Sequence, residues 1–246
     1  MLYAKKLRDL DVSTPSAPGR PVFISAASGL VCVKEWLYVV ADDELHLGVF
    51  TLDSNEPGFL YPLFDGILPM DQKARKEAKP DLESLVLLPG NSESPHGSLL
   101  ALPSGSTQNR MIGWHLPLES NGSLAKLRHQ IDFSPLYHRL SERIPELNIE
   151  GSIVSGKRLK LLQRGNGSSG VNSMIDLDLI RVLEDLKAGQ LSGKLLFMKE
   201  ISPRTKVEGV CTGMLDGKPE LLLVTDEDDP TKAAELFSCV LNDLLT

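Results

Sequence analysis

A hairpin that recurs four times along the chain limits the fold more than any other feature, because a fixed repeat is the signature of modular architectures. Ser28-Gly29-Leu30-Val31-Cys32 followed by Trp36-Leu37-Tyr38-Val39-Val40 superposes without gaps on Glu150-Gly151-Ser152-Ile153-Val154 followed by Arg158-Leu159-Lys160-Leu161-Leu162. A third copy, Val207-Glu208-Gly209-Val210, turns at Asp216-Gly217 and returns as Glu220 to Val224. The fourth, Leu82-Glu83-Ser84-Leu85-Val86, crosses a Pro/Gly/Ser-rich loop and returns as Ser98 to Leu102. A third strand-like segment follows each hairpin: Glu44 to Leu52, Arg110 to Leu116, Asn172 to Leu179 and Glu235 to Leu241. A fourth, more polar one follows in all copies but the last: Gly58 to Phe64, Leu124 to Phe133 and Gly193 to Ser202.

Groups of four strands in a single all-β domain spanning residues 1–246 predict a β-propeller of four blades, with five blades of irregular strands as the alternative. The last group lacks its outer strand, and Leu2 to Leu10 resembles Lys194 to Ile201 closely enough to supply it. Pairing the amino-terminal strand with the carboxy-terminal blade would remove the last open sheet edges. The stretch Thr231 to Leu245 fits both a helical face and a strand, and the repeat selects a strand. Short helices are expected at Gln72 to Lys79 and Ser134 to Ile144, the latter with Ser134 as N-cap and Pro135 at the first helical position.

In a propeller the first strand of every blade lines the axis. Glu83, Glu150 and Glu208 occupy one position of that strand, and Ser28 occupies it in the first repeat. Three carboxylates about 6 Å apart repel by roughly 3 kcal/mol per pair at an effective dielectric of 20, so a bound cation, a neighbouring basic side chain or proton uptake must compensate. A second ring forms where the second strands end, at Asp42, Ser104, Arg164 and Asp226. Hairpin topology puts both rings at one mouth. Glu83, Glu150 and Glu208 are therefore the candidate metal ligands, with Ca²⁺ the candidate ion and no other cofactor expected. Asp42, Ser104, Arg164 and Asp226 are the candidate residues for a small polar ligand, Arg164 being the natural partner of an anion or of the glutamates. The bland alternatives are glutamates bonded to backbone amides and ordinary turn residues.

Other chemistry is argued against. With 26 Lys+Arg against 33 Asp+Glu the formal charge is −7, which disfavours nucleic acid and anionic membranes as partners. The run Gly151 to Arg158 has P-loop spacing, but Arg158 stands where a Ser or Thr is needed and Gly156-Lys157 is a strand-to-strand turn. Gly165 to Gly170 reads as a loop, and Asp226 to Pro230 lacks the alternating spacing of a calcium loop. His46, His96, His115, His129 and His138 show no paired-ligand spacing, so zinc is not expected. No serine lies in a GxSxG elbow. Cys32, Cys211 and Cys239 are too few and too scattered for a disulfide framework and are expected to be reduced. No signal-peptide core or long apolar run occurs, and a cytoplasmic location is expected.

Leu147-Asn148-Ile149-Glu150-Gly151, the strand ending Leu161-Leu162-Gln163-Arg164-Gly165, and Met174-Ile175-Asp176-Leu177 resemble bacterial phytase-like β-propeller proteins, those described as having esterase-like activity of phytase. Leu82-Glu83-Ser84-Leu85 and Val207-Glu208-Gly209-Val210 fit the same pattern, closest to uncharacterised members. The resemblance implies a propeller with an acidic, calcium-dependent axial site and, less directly, hydrolysis of a phosphate ester. The chain departs from the calcium-dependent phytases in its basic residues, only Arg164 falling on the relevant rim. Three readings follow: an axial mouth that binds a cation or small polar ligand, a calcium-dependent phosphoesterase, and a protein-interaction scaffold using rim loops such as Pro89 to Gly97.

Overall fold

The computed structural model describes residues 9–52, 56–165 and 171–200 in full, and the backbone of 201, 207–215, 218–225 and 236–240. Strands β1 (Ala27–Val33), β2 (Trp36–Ala41), β3 (His46–Thr51) and β4 (Phe59–Pro62) form the first antiparallel sheet in chain order. After helix α1 (Gln72–Ala78), β5 (Leu82–Leu88), β6 (Ser98–Pro103), β7 (Ile112–Pro117) and β8 (His129–Asp132) form the second. Helix α2 (Ser134–Ser141) leads to the third, built from β9 (Ile149–Ser155), β10 (Arg158–Gln163), β11 (Asn172–Asp178) and, after helix α3 (Leu179–Lys187), β12 (Leu195–Ile201). A three-stranded sheet follows, of β13 (Val207–Leu215), β14 (Lys218–Thr225) and β15 (Leu236–Val240).

The first strands of successive sheets are neighbours, β1 beside β5, β5 beside β9 and β9 beside β13, as in the blades of a propeller. No described sheet closes on itself. The pairing proposed for Leu2 to Leu10 involves residues 1–8, outside the described residues. Among the described residues no helix is long and apolar enough to cross a membrane.

The core lies between sheets. One cluster joins Val86, Leu88, Leu100 and Leu102 of the second sheet to Ile149, Leu159, Leu161 and Ile175 of the third, with Leu136 and Tyr137 of α2 and Val182 of α3. Another joins Tyr38, Val40 and Leu47 of the first sheet to Leu85, Leu99 and Leu116 of the second. Packing on both faces explains why every residue of β6 is buried, in place of the alternation of a half-solvated strand. The Tyr38 hydroxyl donates to Gly122 O at 2.7 Å, tying the first sheet to the β7–β8 connection.

Each hairpin carries the same irregularity. The register slips between Ala27 and Gly29, between Leu82 and Ser84, between Ile149 and Gly151, and between Val207 and Gly209, leaving Ser28, Glu83, Glu150 and Glu208 as the extra residue of a β-bulge. A bulge bends the strand and re-aims a side chain. A small residue follows it each time: Gly29, Ser84, Gly151 and Gly209. At Gly29 a Cβ would stand 2.8 Å from Leu85 N, so neighbouring inner strands approach too closely there for a side chain. Ser84 and Ser152 also meet across two sheets, Oγ to Oγ at 2.6 Å.

Two helices differ from the sequence expectation. The N-cap of α2 is Phe133, without a side-chain cap bond, because Asp132 Oδ1 instead accepts from Ser134 N at 2.8 Å. Helix α3 was not anticipated; it continues from the end of β11, where Asp178 Oδ1 accepts from Ile180 N at 3.0 Å and from Arg181 N. The P-loop-like run is a strand turn as read, with Gly156 at φ +58° between the paired residues Ser155 and Arg158.

A cross-strand ion pair is enclosed in the third sheet. Lys160 and Asp176 face each other in register, each 0% exposed, with Nζ 2.7 Å from Oδ2 and 2.9 Å from Oδ1, while Arg158 reaches Oδ2 at 2.7 Å. Removing one partner strands a buried charge. Lys160→Met is expected to lower stability by about 3 kcal/mol in urea unfolding, and the double variant Lys160→Met/Asp176→Leu to recover most of it. Gly29→Ala should cost about 1–3 kcal/mol in the same assay, through overpacking at the β1–β5 approach.

Candidate functional site

The bulges and the strand ends converge. In the first three sheets the amide of the residue after the second strand donates to a carbonyl two residues before a bulge: Asp42 N to Ala26 O at 3.1 Å, Ser104 N to Asp81 O at 2.9 Å, and Arg164 N to Asn148 O at 2.9 Å. This repeated bond sets the two rings beside each other. Asp42, Glu83, Glu150 and Arg164 line one open cleft of about 780 Å³, together with Asp43, Asp81, Asn148 and Arg110. Helix α1 borders the cleft with Arg75 and Lys76, and Lys79 follows as its C-cap.

Ser104, the remaining described member of the strand-end ring, does not line the cleft. It is fully buried and its hydroxyl donates to Asp81 Oδ2 at 2.5 Å, fixing that carboxylate. The Ser28 hydroxyl donates to Ala26 O, just before β1, at 3.3 Å. Asp226 and the side chain of Glu208 lie outside the described residues.

Most of the carboxylates here are neutralised from within. Lys79 Nζ bridges Asp42 and Asp81, at 2.6 Å from Asp81 Oδ1. Arg110 pairs with Asp81 Oδ2 at 2.9 Å. Arg164 pairs with Glu150 Oε1 at 2.7 Å, and Asn148 Nδ2 donates to the same oxygen at 2.5 Å. Asp43 is reached by Arg20 at 3.1 Å and by Arg75 at 3.6 Å. Burial opposes the charge on Lys79, but its bonds to Asp42 and Asp81 outweigh burial and raise its pKa.

Glu83 has no such ion pair among the described residues. One of its carboxylate oxygens lies with one of Asp42 and one of Asp81, all within 4.8 Å of one another. Burial, then the charges of Glu150, Asp81 and Asp42, push its pKa up to about 8, against the attraction of Lys79. Glu83 also borders, with Glu150, a second open cavity of about 620 Å³ lined mostly by apolar residues of β1, β5 and β9.

Of the compensations expected for neighbouring carboxylates, basic side chains from neighbouring elements are in place, and the raised pKa of Glu83 favours proton uptake as a second. Sequence reading missed Asp81, Lys79, Arg110 and Asn148. Asp81 and Asn148 carried a signal, a polar residue two positions before a bulge glutamate, which recurs at Lys206 before Glu208. Lys79 and Arg110 carried none, since their roles arise from the packing of α1 and the β6–β7 loop over the mouth.

Among curated proteins, none matches this chain. Solved structures that it resembles include apo AztD from Citrobacter koseri, at 8% identity and a TM-score of 0.34, covering 88% of this chain and 48% of that one. An alpha-L-arabinanase mutant of Cellvibrio cellulosa matches at 13% identity and a TM-score of 0.40, covering 86% and 71%. The WD40 beta propeller domain of Doa1 matches at 8% identity and a TM-score of 0.36, covering 82% and 62%. The chain thus spans about half the length of the first of these structures. Neither these similarities nor the family match shows for this chain the phytase likeness or the bacterial origin that the resemblance implied. Residues 23–201 match a family of unknown function, DUF6929, and the chain belongs to that family.

Proposed function

We propose that this protein is a propeller-like binding module whose mouth takes up a small cationic ligand, either a metal ion or the ammonium end of a polar molecule, without catalysis. The observation that carries the reading is Glu83: a carboxyl group on the wall of an open cleft, close to two other carboxylates and without an ion pair among the described residues. An arriving cation would take the place of its proton and relieve the repulsion from Glu150, Asp81 and Asp42. Calcium is one such cation, although Lys79 already bridges Asp42 and Asp81 and would compete with it. The pairing of Arg164 with Glu150 gives less support to a phosphate-holding role. In the same reading, Leu2 to Leu10 completes the last sheet and closes a four-bladed ring.

Two experiments follow. Because the folded protein holds a proton on Glu83 that the unfolded chain has released, its stability should fall as pH rises from about 4.5 to about 8. Glu83→Gln removes that loss. Its melting temperature should match the wild type at pH 5 and exceed it at pH 9 by about 4 °C, the equivalent of about 1–2 kcal/mol in a chain of this length.

Thermal unfolding at pH 8 with calcium chloride, and separately with the diamine putrescine, tests the function itself. At least one should raise the wild-type melting temperature by about 2 °C or more, and Glu83→Gln should abolish the increment. No shift with either, or one that persists in Glu83→Gln, would contradict the reading. Hydrolysis of p-nitrophenyl phosphate that Glu150→Gln abolishes would favour the phosphoesterase instead.

A further inference from the structure

A third cavity, of about 490 Å³, lies away from the mouth, where β7 and β8 meet the β5–β6 connection and the end of α3. His115 of β7 and His129 of β8 are directly opposed in the antiparallel register, and their rings stack with centroids 5.9 Å apart and planes inclined by 28°. Both line the cavity, as do His96 and Glu93. The Glu93 backbone is held in a defined turn: Asn91 Oδ1 accepts from Glu93 N and Ser94 N, each at 2.8 Å. Its carboxylate reaches Lys187 at 3.1 Å.

His115 is the anomaly. It is 6% exposed, and its Nε2 is buried without a hydrogen-bond partner. An unsatisfied buried polar atom costs about 1–3 kcal/mol and calls for an explanation. A neutral imidazole carries one nitrogen lone pair, which is the form in which it ligates metals.

We propose that His115 and His129 are the protein ligands of a transition-metal site on this cavity, for a divalent ion of the zinc, nickel or copper class. Imidazole suits these ions, whereas Ca²⁺ and Mg²⁺ require oxygen ligands such as those of the mouth. Two imidazoles leave the remaining coordination positions of such an ion for water. The expectation that zinc has no place here rested on spacing along the chain. The register of the β7–β8 pair brings together two histidines that such spacing leaves apart.

Titration of the full chain with zinc chloride, followed by NMR of the histidine ring nitrogens, tests the site directly. The His115 and His129 resonances should shift together and saturate together. His129→Ala, at an exposed position where folding is not at stake, should weaken zinc affinity measured by calorimetry at least tenfold, and His138→Ala on α2 should leave it unchanged. His115→Ala should act like His129→Ala. Absence of zinc binding, binding that leaves both rings unshifted, or unchanged affinity in His129→Ala would overturn the proposal.

Discussion

The close approach of inner strands at a recurring β-bulge is the constraint on which the rest of the structure depends. Strands from adjacent sheets can come this near only where a side chain is absent or short, and Gly29 and Ser84 supply that condition immediately after their bulges, with Gly151 and Gly209 at the matching positions of the sequence. The extra residue then leaves the pleat of its sheet. At Glu83 and Glu150 this sets a carboxylate on the cleft wall, and the amide of the following hairpin end closes onto the backbone two residues earlier.

Bringing like charges together in this way has an electrostatic cost, and the chain meets most of it with its own cations. Lys79, Arg110 and Arg164 come from three different connections, and each is fixed by at least one carboxylate of the mouth. Buried ion pairs of this kind contribute little net stability, because desolvation offsets the attraction, but they hold a charged wall in one geometry. Glu83 is the residue for which that compensation is incomplete, which distinguishes it from the enclosed Lys160–Asp176 pair, where both carboxylate oxygens are satisfied.

Much of this arrangement was legible in the chain. The hairpin repeat located the first strands of all four sheets and the third strands to within a few residues, because hydrophobic segments and turn residues recur in a common order. It also aligned Ser28, Glu83, Glu150 and Glu208 correctly, and those are the four bulge positions. The bulge itself was not legible, since an extra residue shows only against the partner strand. Lys79 and Arg110 escaped notice for a related reason: long basic side chains on connections look solvated until the tertiary fold supplies their partners. Ser104 was read as a ligand residue and is instead a buried support for Asp81, a distinction that depends on which side of a strand end the hydroxyl faces. His115 and His129 were set aside on linear spacing, although antiparallel pairing makes residues far apart in sequence direct neighbours.

The account turns on the Glu83 carboxyl being held among like charges at the mouth. Its side-chain carboxyl carbon, followed by NMR across a pH titration of the wild-type protein, reports this most directly. A midpoint near 8 is predicted. A midpoint in the ordinary glutamate range, near 4.3, would contradict the convergence of carboxylates on which the proposed binding function is built.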